Sequence, residues 1–221
     1  MPEIMITGPA GRREGRYKHA KVPGAPVALI LHPNPQRGGT MNNRVSYTLF
    51  QTFSDRGFST LRFNFRGVGR SQGEFAHGEG ELSDAAAALD WLQSVNPNTS
   101  GVWVAGFSFG AWIGMQLLMR RPEIAGYISI APPANMYDFN FLAPCPNEGL
   151  IVHGEKDQVA NMESVQKLVD KLKDQRGPEG VDFRVVPNAG HFFNNDGEIE
   201  LVTKHINEYL NKATALQKAA A

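Results

Sequence analysis

The 221-residue chain carries 22 Lys and Arg against 22 Asp and Glu, so its formal net charge of +0 offers no field to gather nucleic acid or an anionic membrane. A hydrophobic share of 42% over this length predicts one α/β domain, residues 1–221, with a sizeable core. Its single cysteine, Cys145 in Pro144-Cys145-Pro146, excludes an internal disulfide and reads as a structural loop residue. No Cys–His cluster points to zinc, and the chemistry read below needs no metal and no cofactor. No apolar stretch is long enough to span a bilayer, and Met1-Pro2-Glu3-Ile4 lacks the basic and apolar regions of a signal peptide, so a cytoplasmic chain without membrane contact is expected.

In chain order, segments 3–7 and 16–20 flank a turn rich in Gly8, Pro9 and Gly11 and predict an antiparallel edge ribbon. Residues 27–31 form an apolar run of buried-strand length, after which Val45, Leu49, Phe50 and Phe53 recur at helical spacing. A strand is predicted over 60–65, then a glycine-rich loop and a helix carrying Leu82, Ala86, Leu89 and Trp91. Further strands are expected at 102–105, 127–131, 150–153 and 183–186, with helices near 109–119, 162–172 and 201–210. The alternation predicts an α/β chain with a mainly parallel sheet covered by helices on both faces. From about 212 the alanine-rich tail has little left to bury and is expected to fray.

The chemistry concentrates at Gly106-Phe107-Ser108-Phe109-Gly110, between the apolar run 102–105 and an amphipathic segment. A serine on so sharp a strand-to-helix turn is held in a strained backbone conformation, and a Cβ at Gly106 or Gly110 would collide with the element passing beside it. A serine hydroxyl needs a base at neutral pH, and imidazole suits that task. His191, in the loop Ala189-Gly190-His191-Phe192-Phe193, is the leading candidate; His32, His77 and His153 remain open. Asp157, in Gly154-Glu155-Lys156-Asp157, leads as the acid that orients the imidazole, with Glu155 as the alternative.

These segments, with the turn Arg66-Gly67-Val68-Gly69-Arg70-Ser71-Gln72-Gly73, resemble the α/β-hydrolase superfamily over nearly the whole chain, and the order Ser108, Asp157, His191 is the one that architecture uses. Size and loops look most like the small serine hydrolases grouped near dienelactone hydrolase, whose namesake has cysteine where this chain has Ser108. Where family members carry His-Gly after the third strand, this chain reads His32-Pro33-Asn34-Pro35-Gln36. Proline has no N–H, so the resemblance assigns one oxyanion donor to the backbone of Asn34 and the other to that of Phe109. Relatives with a helical cap insert it after the strand ending near 131; here 132–146 is too short, so no cap domain is expected. Met136, Tyr137, Phe139 and Phe141 in that segment are candidates for an apolar substrate wall. The resemblance implies a serine hydrolase acting on small acyl substrates such as esters, through an acyl-enzyme. The same residues would serve acyl transfer or peptide cleavage, and a non-catalytic scaffold is the reading from another class.

Overall fold

The computed structural model describes residues 3–142, 147–177 and 179–220, without the side chains of 214–220; Cys145 lies outside the described residues. Eight strands, β1 (Glu3–Gly8), β2 (Gly11–Lys18), β3 (Val27–Leu31), β4 (Ser59–Phe63), β5 (Val102–Phe107), β6 (Ile124–Ile130), β7 (Gly149–Gly154) and β8 (Asp182–Val186), make one sheet in the order β1-β2-β4-β3-β5-β6-β7-β8. β2 pairs antiparallel with both β1 and β4, and every pairing from β4 through β8 is parallel.

The five helices are α1 (Arg44–Asp55), α2 (Glu79–Ser94), α3 (Phe109–Leu118), α4 (Met162–Arg176) and α5 (Asp196–Ala220). Alternation along the strands assigns them to two faces. In β3, Val27, Leu29 and Leu31 join the core that α2, α3 and α4 cover, while Ala28 and Ile30 join the core under α1 and α5. Parallel strands covered on both sides read as unbroken apolar runs, which is why 27–31 was legible as buried. Each leucine or valine buried there stabilises the fold by about 1.5–3 kcal/mol at most.

Several boundaries differ from the sequence reading. β2 begins at Gly11, because Gly8 pairs directly with Gly11 across a two-residue turn, and it carries the buried Arg13 and Glu14 that composition alone assigned to the loop. In α2 the buried stripe includes Ala85, Ala88 and Leu92 beside Leu82 and Leu89; Ala86 and Trp91 are only partly buried. α5 starts earlier than expected, and its backbone stays helical through the tail to Ala220, as alanine and lysine favour. Among the described residues, the connection from β6 to β7 holds only turns and the 3-10 turn Asn140–Leu142, so there is no cap domain. No helix among the described residues is long and apolar enough to cross a membrane.

Candidate active site

The chain steps from β3 to β4 on one side and then from β4 across to β5 on the other side of β3, so the strand order reverses beside β3. In an open α/β sheet the crevice at such a reversal, outside the carboxyl ends of the strands, is where ligands bind. Asn34 follows β3 and Ser108 follows β5, which sets both at this crevice. The turn at Ser108 is as tight as its glycines require. Ser108 has φ 53 and ψ −118, the left-handed half of the map that an L residue adopts only when its surroundings impose it. A Cβ on Gly106 would lie 2.3 Å from the carbonyl oxygen of Gly110, and one on Gly110 would lie 2.3 Å from that of Leu31.

Three loop residues from different strand ends meet there. The Ser108 hydroxyl lies 3.0 Å from Nε2 of His191, and Nδ1 of His191 lies 2.7 Å from Oδ2 of Asp157. A carboxylate can only accept, so Nδ1 carries the proton and Nε2 of the neutral ring is free to accept from the serine hydroxyl. The other carboxylate oxygen, Oδ1, accepts from the N–H groups of Val159 and Ala160 at 2.8 and 2.9 Å, which fixes the carboxylate plane. Burial pushes the Asp157 carboxyl upward, but the hydrogen bond and charge of His191 and the two amides outweigh it and hold the carboxyl below its ordinary value. The acid and imidazole loops are joined directly: Lys156 N–H donates to Ala189 O, and Asn188 N–H donates to the Glu155 carboxylate. Glu155 therefore braces the imidazole loop, and Asp157 is the acid that meets His191.

The other histidines have different neighbours. His32 is buried, with Nδ1 2.7 Å from Pro33 O and Nε2 accepting from Phe65 N–H at 3.0 Å, so it ties the ends of β3 and β4 together. Burial pushes its pKa down to about 4, the hydrogen bond to Pro33 opposing only in part. His153, with a fully buried side chain, lies 3.9 Å from Asp157, too far for a hydrogen bond. Burial lowers its pKa as well, against the nearby Asp157 charge, so it packs beside the acid as a neutral ring. His77 is exposed and lies against Phe75.

Above Ser108 opens a cleft of about 260 Å³. Asn34 and Phe109, the two candidate donors, and Met136 and Tyr137, two of the candidate wall residues, are among its lining. Among the described residues, the N–H groups of Asn34 and Phe109 have no protein acceptor, whereas the N–H of Gln36 is taken by the Asn34 side chain. Two backbone donors are thus left unspent near the serine, one of them at the N-terminus of α3, where partial positive charge accumulates. Tyr137 accepts from the Asn34 side-chain amide at 3.2 Å and stacks on Trp112 at 4.3 Å, closing one end of the cleft.

Phe139 and Phe141 do not line the cleft. They stack on each other at 6.1 Å, Phe139 within the core under α3 and α4 and Phe141 packed against it, so their rings are spent on packing the loop onto the body. The cleft also includes Arg37, Val159 and Phe192, none of which the sequence singled out as substrate-facing. Only the adjacency of Phe192 to His191, of Val159 to Asp157 and of Arg37 to Asn34 offered a signal for them. Among the described residues, no three His, Cys, Asp or Glu side chains converge as metal ligands would.

The family model described as X-Pro dipeptidyl-peptidase (S15 family) matches residues 19–175. An Agrobacterium tumefaciens protein of unknown function, ascribed to the α/β hydrolases, is 58% identical and superimposes with a TM-score of 0.92 over 97% of each chain. An α/β serine hydrolase homologue from Coxiella burnetii is 34% identical, with a TM-score of 0.84 over 95% of this chain and 97% of that one. A serine hydrolase without a lid, from Xanthomonas campestris, is 27% identical, with a TM-score of 0.85 over 96% of this chain and 94% of that one. With these likenesses added to the strand order and the turn at Ser108, the chain belongs to the α/β serine hydrolases, in the family whose description is X-Pro dipeptidyl-peptidase (S15).

Proposed function

We propose that the protein hydrolyses small carboxylic esters or related acyl compounds through an acyl-enzyme on Ser108. The observation that carries this reading is the unbroken hydrogen-bonded series Asp157, His191, Ser108, ending in a hydroxyl that borders the cleft. In this mechanism Nε2 of His191 takes the Ser108 proton as Oγ bonds to the substrate carbonyl carbon. The carbonyl oxygen becomes an oxyanion facing the N–H groups of Asn34 and Phe109, an arrangement that contributes on the order of 3 kcal/mol per donor. Collapse expels the alcohol, which leaves with the proton from His191, and a water activated by the same ring then releases the acid. Asp157 holds the imidazole in the required tautomer and stabilises its charged form.

Peptide cleavage is the second reading, favoured by the description of the family model. A dipeptidyl-peptidase must hold the free ammonium of its substrate, and the residues lining this cleft include no carboxylate among those described. The two readings separate on one plate: p-nitrophenyl esters of increasing acyl length beside an X-Pro p-nitroanilide. The ester reading expects turnover of the esters with kcat/KM highest at about two to six acyl carbons, since each buried methylene contributes roughly 0.8 kcal/mol only while protein covers it. Cleavage of the anilide with inert esters would replace this reading with the peptidase one.

A further inference from the structure

Ser108 stands at the end of β5, so the strand order sets the loop after β3 on one side of it and the loops after β6 and β7 on the other. The two sides differ in chemistry. From the β6 and β7 side come Met136 and Val159, joined by Phe192 from the loop after β8, and Met136 and Phe192 are 43% and 49% exposed. Because they share one cleft, these bare apolar groups form a surface that a ligand can cover. From the β3 side comes Arg37, the last residue of the 3-10 turn Pro35–Arg37. Its guanidinium has no hydrogen bond or ion pair among the described residues, whereas Arg13 and Arg66 are committed to Asp84, Arg121 to Asp90 and Glu123, and Arg184 to Asp182. No carboxylate among the described lining residues competes for it. An unspent guanidinium on a residue lining a cleft whose other described polar side chains are those of Asn34, Ser108, Tyr137 and His191 is a receptor for a planar or tetrahedral anion, which it can grip with two parallel N–H bonds.

We infer that the substrate of this cleft is an acyl ester bearing a carboxylate or phosphate, bound with that anion at Arg37 and its apolar part against Met136, Val159 and Phe192. The inference rests on the ester-hydrolase reading above and specifies its substrate class. Arg37 acts as a specificity residue, raising the local concentration of anionic esters and orienting them across Ser108.

The test compares 4-acetoxybenzoate and 4-acetoxyphenyl phosphate with the neutral methyl 4-acetoxybenzoate, each kcat/KM divided by the rate of alkaline hydrolysis of the same ester. The wild type is expected to favour at least one anionic ester by about fivefold, a ratio that shrinks in 0.5 M salt. Which anion gains more identifies carboxylate or phosphate as the preferred group. Arg37→Gln should erase most of that preference and Arg37→Lys should restore part of it. Arg120→Gln, which removes the same charge from an exposed position outside the cleft, should leave the preference intact. A wild-type ratio at or below one, or a ratio unmoved by Arg37→Gln, overturns the inference. Titration of Ser108→Ala with the same compounds gives the preference as a ratio of Kd values. Absence of turnover on every ester would therefore sink the hydrolase reading, while the Arg37 contact is decided separately by binding.

Discussion

Two buried polar networks in this molecule use the same ingredients to opposite ends. In the first, Arg13 of β2 and Arg66 of the loop after β4 converge on Asp84 of α2. Oδ1 accepts from both guanidinium groups at 2.7 and 2.8 Å, and Oδ2 accepts from Arg66 Nε and N–H at 2.9 and 3.1 Å. Burial pushes the Asp84 carboxyl upward, but these bonds and charges outweigh it and keep it ionised. Every acceptor position of Asp84 is filled, and Arg13 Nε is left as a buried donor without a partner among the described residues, so the carboxylate has nothing left to offer a ligand and holds its elements together. The second network runs from Asp157 through His191 to Ser108, and it ends open, at a hydroxyl beside two backbone donors with no protein acceptor among the described residues. A network whose carboxylate is fully engaged holds elements together; one that ends in an open hydroxyl beside free backbone donors is available for chemistry.

The comparison breaks if the open network proves to be structural. Asp157→Asn should lower kcat by about four orders of magnitude, because an amide oriented toward the ring favours the wrong tautomer, while the thermal midpoint moves by only a few degrees. Ester turnover beside circular-dichroism melting checks both halves; a large loss of stability with modest loss of turnover would assign Asp157 to the scaffold.

The converse applies to the first network. Asp84→Ala strands two guanidinium groups, one of them fully buried, and should cost about 3–5 kcal/mol of stability. Urea denaturation measures that cost, and kcat of the fraction that remains folded should stay near wild type. A kcat loss comparable to that of Asp157→Asn would mean that this network also serves the chemistry.

How far each network was legible follows from the range of its signals. The nucleophile turn, the acid loop and the imidazole loop each lie within a few consecutive residues; Asn34 and Phe109 stand far apart in the chain, each in a short segment of its own. The first network was only half legible: Arg66 opens the glycine-rich turn that carries the family resemblance, but its partner Asp84 looks like any acidic residue on an amphipathic helix. Arg13 reads as surface until β2 is known to start at Gly11. Phe139 and Phe141 show the same limit from the other side, since aromatic residues between two strands fit a substrate wall and a packed loop equally well. Arg37 carried no local signal beyond its place three residues after Asn34. Its meaning comes from sheet order, which sets it across Ser108 from Met136 and Val159.

The smallest effect sharpens the role of His32, a buried imidazole that belongs to neither network. Its folded pKa of about 4 lies below the unfolded value, so between the two the unfolded chain binds the extra proton and stability falls as pH falls. From pH 7 to pH 5 this group alone should remove about 2 kcal/mol, the loss levelling off below the folded pKa. His32→Gln, which retains a donor and an acceptor, should show a shallower decline over that interval in urea titrations. An identical decline would place the pH sensitivity elsewhere, with buried His153 the next group to replace.

If the open network activates Ser108 alone, a fluorophosphonate probe followed by peptide mass spectrometry reads that activation as a covalent adduct. The phosphorus accepts Ser108 Oγ and loses fluoride, leaving its oxygen toward the N–H groups of Asn34 and Phe109. The expected result is one adduct, on Ser108, formed by wild type and abolished by Ser108→Ala and His191→Ala without loss of fold. A well-folded wild type that forms no adduct, or forms one at another residue, would contradict the account.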